Sequence, residues 1–544
     1  MKFAIFKRCK KTGRIIGIDM KSAWCWVFLP ITGFLALAWF LLRVVPKPSR
    51  ISYPCQRAAF PLAVGFLSFL FGITGIKTIC KIIKSKKSAG SAAFGIMCAA
   101  VLCFFAYFAS PLFFSGCGDS ADAENIVATL PISEPSDDIS ADASEIPEDF
   151  ENSPEAPYSV PAGGIGIFPG RVVYMHNPEA VKYEENGYWW EDECTIPEEV
   201  EKMLTESLIE LTGQESAAKA WEALFRDFNG GDNYAKGEKI VIKLNLNLDD
   251  NGKNNRQVPS PQLVEALVSQ LVNAVGADPG DITVTDPSRN IGDAIYKRIS
   301  ENADAALRNV RFVARNQIAP VPDKTAPLHF ADGQTGYVSA DYTAAKYLIN
   351  LAVFRPHYMF GITLCGKNHF GSIYFEGDDI FSPVNMHSSW DRGYGEYSHI
   401  TDLIAFEHLG KKTLLYMIDA LYFAWHNEDT DVRRMATFGG KYPASLFLSQ
   451  DPCAIDSVAY DYIIAENKQN KDLRSEMPAN APDNYLIEAS YAERPPSNTD
   501  YDPNQNGVRA SLGAFEHWND DENKQYSRNL GKDCGIELIR KTLD

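Results

Sequence analysis

Three long runs without a single charged side chain constrain this chain more than anything else in it. Ala23–Leu42, Ala58–Ile76 and Gly90–Phe114 span 20, 19 and 25 residues. Each is long enough to cross about 30 Å of hydrocarbon as a helix, the only open-chain form that satisfies its own backbone there. Buried core helices rarely come as three such uncharged runs, so the sequence predicts three transmembrane helices within residues 1–117. Basic residues set their orientation. Seven precede the first run, four lie between the first and second, and five (Lys77, Lys81, Lys84, Lys86, Lys87) lie between the second and third. The positive-inside rule then places the N-terminus in the cytoplasm, and three crossings deliver everything after Phe114 to the outside of a cell membrane. Phe114-Ser115-Gly116-Cys117 has the form of a lipobox with Phe where Leu is usual, so a plain anchor is the preferred reading over cleavage and lipidation at Cys117.

Charge divides the chain at the same place. Of 52 Lys and Arg and 70 Asp and Glu, residues 1–117 hold 16 bases and one acid, Asp19, which leaves about +15 there against −33 in the remainder. A bulk so acidic argues against nucleic acid as a partner, since binding phosphates needs a basic stripe. Residues 118–162 form an acidic linker: positions 118–160 carry twelve acids, repeated Pro and Ser, and no Lys or Arg. Such a composition buries too little apolar surface to offset its ordering entropy and predicts an extended tether.

From 163 to 544 short β-rich runs alternate with amphipathic helical patterns. That alternation predicts one α/β domain, a mainly parallel sheet with helices on both faces. The expected strands are Arg171–His176, Lys239–Leu246, Ile282–Thr285, Val310–Ala314, Tyr347–Val353, Thr413–Ile418 and Ser445–Leu448. One helix is expected over Pro261–Val275, with Ser260 as its cap, Pro261 at its first position and Gly276 closing it; another starts at Glu198. Tyr485–Asp544 reads as irregular and polar.

Ligands of open α/β sheets bind beyond the carboxyl ends of the strands, so the polar residues there are the candidates. Lys243 and Asn245 close the first internal strand, Asp286 and Ser288 the next, Arg355 and His357 follow Leu-Ala-Val-Phe, Asp419 follows Tyr-Met-Ile, and Asp451 follows Phe-Leu-Ser-Gln. Five strand ends are thus expected to converge on one pocket, although each residue alone also fits a turn or cap. Lys243 stands apart, because a lysine inside a buried strand needs a partner or a task. The segment Arg355–Gly371 is densest. Gly361 to Lys367 fits G-x-x-x-x-G-K, but Asn368 replaces the Mg²⁺-holding hydroxyl and Ile-Thr-Leu-Cys is no flexible cradle, so a nucleotide-hydrolysing loop is rejected. Lys367 with Asn368 and His369 still suits an anion. His357, His369 and His387, with Asp391 near, supply donor types for a divalent or transition metal, although none of the spacings is that of a helical zinc site. Asp502-Pro-Asn504-Gln-Asn506-Gly507 opens like a calcium loop but reaches Gly513 where a chelating carboxylate belongs. Gly164-Ile-Gly166 precedes its strand and is no dinucleotide fingerprint. Cys194, Cys365, Cys453 and Cys534 contain no CxxC, so no iron–sulfur cluster motif is encoded.

Taken jointly, several of these pieces resemble the domain of unknown function family 362. They are Ile-Val-Ile-Lys243-Leu-Asn245, Pro259-Ser260-Pro261, Val284-Thr285-Asp286, His357, Thr363-Leu-Cys-Gly-Lys367-Asn368-His-Phe-Gly371, Ile418-Asp419 and Gln450-Asp451-Pro452-Cys-Ala-Ile-Asp456. Order and spacing agree over roughly 165–490. Leu244 stands where the family usually has Pro, and Tyr374–His399 looks like an insertion. The resemblance implies a residue set without a reaction. Some relatives carry a ferredoxin-like module, for which this chain lacks the cysteines. The leading expectation is a membrane-tethered extracytoplasmic enzyme acting on an anionic small molecule or cell-envelope substrate. Lys243, Asn245, Ser288, Asn368, Asp451 and Asp456 would hold the ligand, and His357, Lys367, Asp286 and Asp419 would do acid–base work. A non-catalytic binding or sensing module, or a redox protein acting with a partner, are the alternatives.

Overall fold

The computed structural model describes residues 6–8, 15–18, 162–246, 254–357, 360–377, 381, 393–426, 429–470 and 481–543. The chain divides into two compact units at residue 141. In the first, Phe6–Arg8 (β1) pairs antiparallel with Ile15–Ile18 (β2). The three apolar runs lie outside the described residues, as do nearly all of the acidic linker and His387. No helix among the described residues is long and apolar enough to cross a membrane.

The second unit is built on an eight-stranded sheet. Its strands are Arg171–His176 (β3), Ile240–Leu244 (β4), Ile282–Asp286 (β5), Arg311–Ala314 (β6), Tyr347–Val353 (β9), Thr413–Ala420 (β13), Ser445–Ser449 (β14) and Glu537–Thr542 (β15). Pro322–His329 (β7), Thr335–Ser339 (β8) and Ile373–Phe375 (β12) form a separate three-stranded antiparallel sheet, and Arg355–His357 (β10) pairs antiparallel with Gly361–Thr363 (β11). The large sheet runs β15-β3-β14-β13-β9-β4-β5-β6. Pairing is parallel except on both sides of β14, which is reversed.

Side chains of a strand alternate between faces, and both faces of this sheet are buried, as a parallel sheet requires. Val173, Met175, Ile240 and Ile242 enter one apolar core together with Pro197–Thr212 (α1), Ala217–Phe228 (α2), Pro261–Asn273 (α3) and Asp293–Ser300 (α4). Val172, Tyr174, Val241 and Leu348 enter the other. The latter packs against Ala340–Ala344 (α5), Cys365–Asn368 (α6), His399–Ala405 (α7), Pro452–Gln469 (α8) and Ala481–Ser490 (α9). The α/β expectation with helices on both faces therefore holds for this unit, in the form of a mixed, mostly parallel sheet.

Three local expectations are corrected. Ser260 does not cap α3 through its side chain; its N–H and Oγ–H both donate to Asp419 Oδ2 at 2.7 Å. The C-terminal stretch read as irregular holds α9 and the edge strand β15, in which Leu538 is the one buried residue. Because β14 is reversed, its carboxyl end faces the opposite edge of the sheet from those of β4, β5, β9 and β13. Asp451 is thereby removed from the expected convergence.

Candidate functional site

β4 and β9 are neighbours in register, Lys243 opposite Asn350, and both residues sit on the face whose other positions are Val241, Leu348 and Ala352. A lysine and an amide therefore lie side by side inside an apolar layer, where each must be satisfied by protein groups. Lys243, 1% exposed, donates from Nζ to Asp286 Oδ2 at 3.1 Å, Asn368 Oδ1 at 3.1 Å and Leu244 O at 2.5 Å. Asp286 closes β5 and fills its remaining capacity locally: Leu246 N donates to Oδ2 at 3.0 Å, while Ser288 N and Oγ donate to Oδ1 at 3.1 and 2.8 Å. Burial pushes the Asp286 carboxyl up, but Lys243, Arg289 and those hydrogen bonds together hold it below its ordinary value.

Asn368 comes from α6, the single helical turn that lies over this pair. Its Nδ2 donates to Asn350 Oδ1 at 2.8 Å, and Asn350 in turn donates to Cys365 O at 2.9 Å and His369 Nε2 at 3.1 Å. With Nε2 accepting, the His369 proton sits on Nδ1, which is buried and has no hydrogen-bond partner among the described residues. Burial, aided by the Lys243 charge, lowers His369 to about 3, so the ring is neutral.

The other end of α6 is anchored by Asp456 on α8. Its two oxygens accept Cys365 N and Gly366 N, both at 2.8 Å, and Oδ2 also accepts Tyr485 OH at 2.5 Å. Burial raises Asp456 to about 6 against these hydrogen bonds. Expected as a ligand residue, Asp456 is oriented by the structure onto the turn that carries Lys367 and Asn368. Gly371, just beyond, lies against the polar cluster: a Cβ there would stand 2.8 Å from Ser288 Oγ, 3.2 Å from Asp286 Oδ1 and 3.4 Å from Lys243 Nζ.

Three positive charges, Arg355, Arg289 and Lys243, act on Lys367 of this turn. Lys367 is partly buried, with Nζ 5.3 Å from the centroid of the Phe370 ring. Burial, then the positive charges of Arg355, Arg289 and Lys243, bring its pKa down to about 7. Arg355 is 1% exposed and lowered to about 10 by burial. His357, two residues on, is buried on β10 opposite Gly361. Asn245 is buried, with its Oδ1 lacking a hydrogen-bond partner among the described residues. A pocket is bounded by Leu246, Arg256, Pro261 and Asn290.

Asp419 sits at the end of β13, held by Ser260 through Oδ2 and by Leu421 N at 3.0 Å through Oδ1. Asp451 caps α8 at the opposite edge. Its Oδ1 accepts Cys453 N and Ala454 N, and its Oδ2 accepts Ile165 N at 2.9 Å and Ala514 N at 3.0 Å. Among the described residues no group of three or more His, Cys, Asp and Glu side chains is placed to hold a metal. Sequence reasoning passed over Asn350, which had a signal, an amide amid Tyr-Leu-Ile-Asn-Leu-Ala-Val. Gly371 was named as the end of the family-like motif but given no role, because only the fold brings it against β4 and β5.

Fold and site together define an α/β domain whose polar cluster lies at the carboxyl edge of a mostly parallel sheet. Residues 240–461 match the family model described as a domain of unknown function, DUF362. The match is narrower than the stretch expected from the motifs. It still contains Lys243, Asp286, Asn350, Arg355, Lys367, Asn368 and Asp456. No curated protein and no solved structure matches the chain.

Proposed function

We propose that this protein is a membrane-tethered, extracytoplasmic enzyme whose α/β domain acts on an anionic small molecule at the carboxyl edge of the sheet. The observation that carries the reading is the gathering of Lys243, Arg289, Arg355 and Lys367 around one helical turn, with Asp286 paired to the first of them. Cations so placed attract and orient an anion. Lys243, Asp286, Asn368 and Asn350 form a saturated frame and hold geometry. Lys367 is the reactive member: with a pKa of about 7, a substantial fraction of its amine is neutral at neutral pH and can take up a proton, then return it. The tether rests on the three apolar runs and the basic residues around them.

A non-catalytic binding module is the second reading, favoured by the hydrogen bonds that occupy both oxygens of Asp286 and of Asp419. A clamp needs no free base. The pH dependence of amine acylation at Lys367, followed by peptide mass spectrometry on the full chain, decides between them. Half-maximal reactivity near pH 7 is the expected result. A lysine that becomes reactive only near its ordinary value, about 10.4, would overturn the acid–base role.

A further inference from the structure

The hairpin β10–β11 contributes a second feature to the same edge. Arg355 directs Nη1 to Gln257 O at 3.2 Å, while its Nε and Nη2 are buried and have no hydrogen-bond partner among the described residues. These two nitrogens are not an arbitrary pair. Their N–H bonds point the same way from one side of the guanidinium plane, and that side matches the two oxygens of a carboxylate or phosphate. Such an edge calls for an acceptor, since each unmade hydrogen bond of a buried charged group forfeits its desolvation. Thr363 provides a second, independent signal. It is the register partner of Arg355 across the hairpin, so the two side chains lie on the same face, and Thr363 Oγ1 is also buried without a partner among the described residues. Among the described residues the one carboxylate that acts on Arg355 is Asp429, as a charge and not as a hydrogen-bond partner.

We propose that Arg355 and Thr363 form an enclosed oxyanion subsite. A carboxylate or phosphate group of the substrate takes two parallel hydrogen bonds from Arg355 Nε–H and Nη2–H and a third from the Thr363 hydroxyl. This deepens the anion-site reading above and rests on it. The subsite fixes one end of the substrate, and Lys367, two residues beyond Cys365 on the turn that follows β11, stands over the remainder. The substrate class is therefore a small molecule with at least one terminal oxyanion, bound side-on.

The test is calorimetric titration of the purified full chain with two probes, succinate and inorganic phosphate, for the natural sequence and for Arg355→Lys, Thr363→Val and Lys367→Ala. Arg355→Lys keeps the charge and removes the two-pronged edge; Thr363→Val keeps the shape and removes the hydroxyl. Affinity for at least one probe is expected to fall on the order of 10- to 100-fold in Arg355→Lys and by a smaller factor in Thr363→Val. The probe that binds identifies the oxyanion as carboxylate or phosphate. Unchanged affinity in both variants, with Lys367→Ala weakened, overturns the subsite and leaves the anion-site reading standing. Binding of neither probe to the natural sequence overturns that reading itself. Should Arg355→Lys fail to give a cooperative thermal transition, Thr363→Val alone carries the test, and unchanged affinity there overturns the subsite.

Discussion

A lysine in the middle of a buried strand is tolerable only as one member of a closed set, and Lys243 shows how closed that set is. Its ammonium has three protein acceptors, and its carboxylate partner, Asp286, has every oxygen engaged. Breaking a buried pair from one side leaves the other charge uncompensated, a loss of about 3–5 kcal/mol. Lys243→Met is therefore expected to lower unfolding stability by that order in urea denaturation, with Lys243→Met/Asp286→Asn recovering part of it. Equal stability of the single and double variants would show that the pair is not coupled. The pH dependence follows from Asp286, which is held below its ordinary value. A depressed carboxyl contributes stability that is complete above its unfolded value, about 3.9, and is lost as pH falls through the folded one. The natural chain should lose urea resistance progressively in acid below about pH 4, more steeply than Asp286→Asn. Gly371→Ala probes the same cluster from above, because its Cβ would press on Ser288 and Asp286. Overpacking of this kind costs about 1–3 kcal/mol, and probe affinity should fall with it.

At the scale of elements, α6 is too short to hold itself: four residues make one turn, with no side-chain cap. Asp456 supplies the missing acceptors from α8. Asp456→Asn would turn an NH₂ group toward a backbone N–H that now has a carboxylate, costing about 1–3 kcal/mol, and would displace Lys367 and Asn368. Stability and anion affinity are both expected to fall. Asp456 also has a pH signature of opposite sign to Asp286. Its folded pKa is raised, to about 6, so the folded state holds the proton longer, and the stabilisation that Asp456 gives in acid is lost as pH rises from about 4 to about 6. Asp451→Ala makes the contrast. Loss of a helix cap costs about 0.5–2 kcal/mol, but Asp451 lies at the far edge of the sheet, so probe affinity should be unchanged. A weakened affinity there would contradict the placement that the reversed β14 implies.

The same two residues show what could be read from the chain alone. Seven of the eight strands of the large sheet and the apolar faces of α1 and α3 can be read directly, and Lys243 and Lys367 announce themselves by chemistry. Strand direction does not. Ser445–Ser449 is equally apolar run either way, so nothing local distinguishes Asp451, a cap, from Asp286, a partner of Lys243. Elements of three residues, such as β10, β11 and β12, are too short for a period, and β15 at the sheet edge buries too little to show one. Ser260 looks like an ordinary helix cap because the acceptor that claims it, Asp419, is remote in sequence.

On the scale of the whole molecule, the chain joins a basic, apolar segment of about +15 to an acidic one of about −33. Under the tether proposed above, the bases would stay with the cytoplasmic side of a membrane and the acidic domain would be repelled by anionic headgroups. If three helices cross, the α/β domain lies opposite the N-terminus. Cys534 offers a handle on this, since it is a free, partly exposed thiol in that domain. In cells producing the full chain, a membrane-impermeant maleimide is expected to modify the Cys534 peptide before lysis, read by peptide mass spectrometry, and that one adduct is expected to be lost in Cys534→Ser. Labelling of Cys534 that appears only after lysis would put the domain on the cytoplasmic side. An even number of crossings, or none, would then replace three, and the substrate would have to be sought among cytoplasmic anions instead of envelope components.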